Sequence, residues 1–237
     1  MIKIMMSPFV YFSMTINCLA GVMPSQSRII YHSVDKSKGV MLVNTNKYPV
    51  IVQNWIDKGE GSPESAGIPF VSTPSVLRLE SDGVRGIRVM YTQGELPQDR
   101  ESLFWFNIYE IPPEKPGINP ENSVLVTMNT QIKLFYRPPG IAITPDEAIK
   151  KVICHLSGRD ALICSDPTPI HIPITRLQVK NKNGLAATAI NSELMMTPFG
   201  EVNYNFKTQA LSFEDITFNY IDDNGNQHVY KYNSDGL

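Results

Sequence analysis

Catalytic signatures are what this sequence most clearly lacks. It has no G-x-S-x-G turn and no P-loop, and His32, His155, His171 and His228 show no H-x-x-x-H spacing. Carboxylates are plentiful, but nothing in the order of residues pairs them at a site. With neither a nucleophile–base signature nor a ligand cluster, the chain reads as non-enzymatic, without cofactor or metal. Basic runs are missing too: 21 Lys and Arg stand against 23 Asp and Glu, a formal charge of −2. Nucleic acid and anionic membrane surfaces are therefore not expected partners. Internal repeats and low-complexity tracts are absent.

Cysteine is scarce, with three in the chain. Cys18 lies in a leader-like stretch. Lys3 is the only charge before Arg28, and Ile4 to Ile16 is mostly apolar but broken by Ser7, Pro8, Ser13 and Thr15. Cys18-Leu19-Ala20 then offers small residues at −3 and −1 of a cut after Ala20. The stretch is too short and too broken to span a bilayer, so residues 1–20 read as an export signal and no membrane insertion is expected. Export implies an oxidising compartment such as a bacterial periplasm. Cys154 and Cys164 remain, flanking "HLSGRDALI", which reads as a hairpin turning at Ser157-Gly158-Arg159. Two strands folded back there set the sulfurs nearly opposite, within disulfide reach. Two buried free thiols are the alternative.

Period-two patterns dominate from residue 28 onward. "RIIYHSV", "KGVMLVNTN", "VLRLES", "GIRVMYTQ" and "SLFWFNIYEI" alternate as strands do, with turn residues between them. "YPVIVQNWID" opens on a proline that suits an edge strand or a strand start. "ITPDEAIKKV" has the look of a helix start at Pro145, but the β pattern of "VICHL" and "ALICS" beyond it favours a lead-in to another strand. "DDNG" at 222–225 reads as a tight hairpin turn, since Asn-Gly accepts positive φ at both central positions. Many short strands at regular spacing indicate an all-β protein of antiparallel sandwiches. The break at Arg137-Pro138-Pro139-Gly140 divides it into domains 21–138 and 139–237, each of immunoglobulin size.

The stretch Ser123–Tyr136 is unusual. Val124, Val126, Met128 and Ile132 share one face; Leu125, Thr127, Asn129, Gln131 and Lys133 share the other. The apolar row is either an ordinary core row or the offered face of an edge strand, a feature most proteins avoid because it recruits partners. Lys133, between Ile132 and Leu134, either points to water or is held for a purpose.

Several blocks together resemble the periplasmic pilus chaperone family (PapD-like). They are "SRIIY", "NKYPVIVQNWID", "FVSTPSVLRLES", "LPQDRESLFWFNIYEIPP" and "TQIKLFYRP", covering most of residues 28–139. The likeness is weaker in the second half, where the cysteines lie early. The resemblance implies two immunoglobulin-like β-sandwich domains arranged as a boomerang. It implies a chaperone that completes pilus or fimbrial subunits by lending a strand, then delivers them to an outer-membrane usher. The lent row would be Val124, Val126 and Met128. Arg28 and Lys133 would anchor the subunit's C-terminal carboxylate, a pairing of guanidinium fork and ammonium that suits that group. Glu101, Arg137 and Asp223 would form an inter-domain salt-bridge network, with Asp222 an alternative to Asp223. The short "PPEKPGINPENS" loop is similar to that of the branch assembling rod-type pili. A self-capping homodimer of the free protein is left open. The competing reading is an immunoglobulin-like fimbrial subunit or adhesin.

Overall fold

Alternation decides most of the architecture. In the strand Lys38–Asn44, Val40 and Leu42 are fully buried while Met41 between them is exposed; in Val84–Tyr91, Ile87 and Val89 are buried around an exposed Arg88. Each strand thus has one face that must be covered, and two sheets covering one another is the simplest solution.

The computed structural model describes residues 21–92, 94–114, 126–158, 161–181, 186–191, 193–207 and 213–232. The expected export signal, residues 1–20, and Val124 lie outside the described residues. The first half contains β1 (Val22–Pro24), β2 (Arg28–His32), β3 (Lys38–Asn44), β4 (Val50–Asp57), β5 (Phe70–Thr73), β6 (Val76–Leu79), β7 (Val84–Tyr91), β8 (Ser102–Ile111) and β9 (Met128–Arg137). These form one sheet of order β1-β3-β7-β5 and a second of order β2-β9-β8-β4-β6. β1 and β2 are nearly continuous but belong to opposite sheets, so the chain crosses the sandwich at Pro24–Ser27 and closes it. The pairing of β2 with β9 is parallel, and the others in this domain are antiparallel. Pro49 precedes β4, which lies between β8 and β6, so that proline marks a strand start, not an edge.

The second half contains α1 (Pro145–Ala148), a 3-10 turn (Ile149–Lys151), β10 (Ile153–Ser157), β11 (Ala161–Ser165), β12 (Ile174–Asn181), β13 (Ala186–Thr188), β14 (Glu201–Asn205), β15 (Phe213–Ile221) and β16 (Gln227–Tyr232). Its sheets have the orders β10-β11-β14 and β13-β12-β15-β16. The two halves have separate cores. One gathers Ile29, Val40, Leu42, Ile87, Phe106 and Leu134; the other gathers Ile149, Leu162, Ile172, Leu177, Tyr204 and Phe218. The protein is all-β with two sandwich domains, and no helix among the described residues is long and apolar enough to cross a membrane.

Three sequence expectations are corrected. The "ITPDEAIKKV" segment is a short helix, not a strand lead-in. Pro145 occupies the first helical position, where a missing N–H costs nothing, and the Glu147 carboxylate accepts the Thr144 N–H at 3.1 Å. Burial of Ala148 and Ile149 in the second core fixes it. The hairpin at "DDNG" has a five-residue loop, because Ile221 pairs with Gln227, and only Gly225 takes a positive φ (90°). The strand expected over Ser123–Tyr136 begins at Met128, so Val126 and Thr127 precede it. Cys154 and Cys164 are direct cross-strand partners and are joined as a disulfide, which excludes the free-thiol alternative.

Candidate functional site

The site grows from the register of two strands. β2 pairs with β9 from Arg28↔Lys133 to His32↔Arg137. Because β2 starts at Arg28, the first half of β9, Met128 to Ile132, has β8 on one side and no strand on the other among the described residues. An open sheet edge therefore ends at two adjacent cations. Ile132 and Leu134 turn into the core, and Asn129, Gln131 and Lys133 take the outer face, where Asn107 Oδ1 accepts from Asn129 at 3.0 Å and Gln131 at 2.8 Å. Met128 (43% exposed) and Val126 (75% exposed) present apolar surface at the open end.

Lys133 is half-buried, and its Nζ stands 4.3 Å from the centroid of the Trp105 ring, a cation–π contact. Burial pulls its pKa below the ordinary value; Glu193 pushes it back up, and Arg28 adds to the lowering. Arg28 is only 8% exposed. Its Nη1 donates to the Ile221 carbonyl at 3.4 Å, and its Nε has no acceptor among the described residues. Burial pulls Arg28 down as well, against the attraction of Asp223 and Asp222. Neither cation has an ion-pair partner within 4.0 Å among the described residues. Two neighbouring, partly desolvated cations without a carboxylate are costly, and an anion placed between them relieves that cost.

The second cluster sits at the domain junction. Arg137 forks between Asp223, at 2.7 and 3.0 Å, and Glu101 Oε1, at 2.7 and 2.8 Å. Glu101 Oε2 accepts the His171 N–H at 2.9 Å and faces its Nδ1 at 3.1 Å. The Glu101 N–H in turn donates to the Pro169 carbonyl. Asp223 is thus the acid that meets Arg137, while Asp222 folds its own turn. Sequence reading missed His171: nothing around "PIHIP" distinguishes it, and only the fold brings it to Glu101 and the ring of Phe135. It also missed Arg100, which lies 5.0 Å from the Phe199 ring across the same junction. Among the described residues no group of three His, Cys, Asp or Glu is placed to hold a metal.

A pair of all-β sandwiches, tied by a buried ion network and carrying an open strand edge that stops at two cations, defines the class of protein. Comparison with known proteins gives the family. Residues 21–142 match the family described as pili and flagellar-assembly chaperone, PapD N-terminal domain, and residues 147–232 match pili assembly chaperone PapD, C-terminal domain. The probable fimbrial chaperone YehC of Escherichia coli (strain K12) is 32% identical over 218 residues, 91% of this chain and 87% of that protein. The probable fimbrial chaperone YadV of the same strain is 38% identical over 162 residues, 65% of this chain and 66% of YadV. The crystal structure of YadV matches with a TM-score of 0.76 at 30% identity, covering 89% of this chain and 98% of that one. A structure of Salmonella enterica SafA pilin in complex with the SafB chaperone matches with a TM-score of 0.75 at 26% identity, covering 90% and 96%. The chain belongs to the PapD-like fimbrial chaperone family of the chaperone–usher pathway. Its relatives are named as chaperones, a role without catalysis.

Proposed function

We propose that this protein is a periplasmic chaperone that holds pilus or fimbrial subunits by lending them a strand, and releases them to an outer-membrane usher. The observation carrying this reading is that the open edge of β9 ends at Arg28 and Lys133. The C-terminal carboxylate of a subunit enters between the guanidinium and the ammonium, and its last strand runs back along Met128–Ile132. That strand lies parallel to β9, because its C-terminus is at the Lys133 end. Anchoring sets register, and register decides which side chains meet which cavity, since a slip of one residue reverses every face. The apolar row that includes Val124, Val126 and Met128 fills the subunit's unfinished core, each well-buried side chain contributing roughly 1.5–3 kcal/mol. The Cys154–Cys164 disulfide suits an oxidising compartment such as the periplasm. Domain limits of 21–138 and 139–237 fit the two separate cores.

Membership of the family weighs against the competing reading as a fimbrial subunit or adhesin. The test is co-expression with a candidate subunit from the same gene cluster. Arg28→Ala and Lys133→Ala each reduce recovery of the complex by at least about tenfold, the scale of a lost charge-assisted contact, while the melting temperature of the chaperone alone holds. Full recovery with both variants ends the anchor assignment.

A further inference from the structure

Arg28 carries five N–H donors, yet among the described residues its one protein acceptor is a neutral carbonyl, Ile221 O, at the long distance of 3.4 Å. Two carboxylates nearby attract it, Asp223 and Asp222. Both are engaged elsewhere. Asp223 gives both oxygens to Arg137. Asp222 accepts the N–H groups of Asn224 (2.9 Å) and Asn226 (2.7 Å) on Oδ1. Its Oδ2 accepts Asn226 Nδ2 at 3.0 Å and faces His228 Nε2 at 3.0 Å. The turn is closed further by Asp222 N–H to Asn226 O (3.0 Å) and Gly225 N–H to Asp222 O (3.1 Å). It also seats on the chain just before the anchor: a Cβ on Gly225 would come 2.4 Å from Ser27 Oγ.

The consequence for Arg28 follows from the strength of its possible partners. A carboxylate adds an opposite charge to the hydrogen bond and so binds a guanidinium more strongly than a neutral carbonyl does. If an acid of this turn swung onto Arg28, the cleft would be filled from within. A carbonyl instead orients the guanidinium without neutralising it. We propose that Asp222 is a positioning residue for the carboxylate anchor: by holding its own carboxylate inside the 222–226 turn, it sets Ile221 O against Arg28 Nη1 and leaves the remaining donors for the incoming chain end. This rests on the anchor reading given under Proposed function and adds a residue that touches no subunit.

The experiment compares two forms of one synthetic peptide of alternating valine and threonine, one ending in a free carboxylate and one in an amide, titrated into the full chain. The wild-type protein prefers the free acid. Asp222→Ala weakens binding of the acid form by about tenfold and leaves the amide form unchanged. Asp222→Asn stays within about threefold, because its amide oxygen still accepts from Asn224 and Asn226. A purely structural role would lower both peptide forms together, and asparagine, which keeps the turn's hydrogen bonds, would restore both together. If Asp222→Ala does not fold, Asn226→Ala removes part of the same lock and lowers the acid form about threefold. An unchanged acid–amide preference in the folded variant overturns the inference while the anchor stands. Equal binding of both peptides to the wild-type protein removes the anchor, and the inference with it.

Discussion

At the scale of single residues, the described domains hold several charges under strain of burial, and they differ in what relieves them. Arg137 is relieved inside the protein by two acids, whereas Arg28 and Lys133 have no ion partner among the described residues. Asp166 is a third case. It is 1% exposed, its Oδ1 accepts the Thr168 N–H at 2.8 Å, and its Oδ2 has no partner among the described residues. Burial pushes its carboxyl up to about 6, against the hydrogen bond from the Thr168 N–H. An unfolded aspartic acid titrates near about 3.9. Between those values the folded protein retains a proton that the unfolded chain has released. The contribution of Asp166 to stability therefore falls as pH rises from about 4 to about 6, and levels off above. Asp166→Asn removes this titration. The variant should be more stable than wild type by roughly 2–3 kcal/mol at about pH 7.5 and nearly equal to it at about pH 4. Urea unfolding at the two pH values measures the difference; an equal offset at both would show that the Asp166 proton is not involved.

At the scale of elements, β9 is two strands in one. Its second half is paired on both sides from Lys133 to Tyr136 and carries the buried Leu134, Phe135 and Tyr136. Its first half is paired on one side, and Met128 at its end is largely exposed. A polar replacement there should cost the free protein little, since exposed positions usually shift stability by less than about 0.5 kcal/mol. Met128→Asp is expected to keep the melting temperature and to lower subunit recovery by at least about tenfold, because a charge cannot enter an apolar groove. Undiminished recovery would mean that Met128 does not insert. The alternation that marks this strand was legible in the order of residues, because a period of two leaves a one-dimensional trace. Where β9 begins was not legible, since Val126 and Thr127 continue the same pattern without a ladder partner. The helix at Pro145 was misread for a related reason. Four residues are too few to set a helical period against the β pattern that follows, and burial of Ala148 and Ile149 decided the outcome.

At the scale of the whole molecule, the two domains have separate cores and are joined by a small polar junction. Arg137 is at its centre, 5% exposed, with Glu101 at 1% and His171 at 7% beside it. Removing one partner of such a group leaves another charge buried and unpaired, which costs about 3–5 kcal/mol. Arg137→Ala should therefore lower the thermal midpoint. It should also widen the distribution of domain angles seen by small-angle X-ray scattering, because Asp223 loses its hold on the first domain. A variant with wild-type scattering and melting would show that the network holds neither the junction nor the fold. The cation pair lies beside this junction, with Arg28 bonded to Ile221 of the second domain, so the placement of the two cations depends on the same contacts.

What the amino-acid order determined alone was the strand content, the two-sandwich class and the family, together with the residue types of the site: Arg28, Lys133, Glu101, Arg137 and an acid at 222 or 223. These leave local traces, as alternation, turn residues or fixed blocks of neighbours. What the tertiary structure decided was which of them meet. Register alone sets Arg28 opposite Lys133 across 105 positions of chain. The five-residue turn sends Asp223 to Arg137 and keeps Asp222 for itself, and the junction adds His171, which has no local signature. Contacts between residues far apart in sequence arise from the burial of whole faces, and burial is a property of the assembled sheets, not of any single stretch.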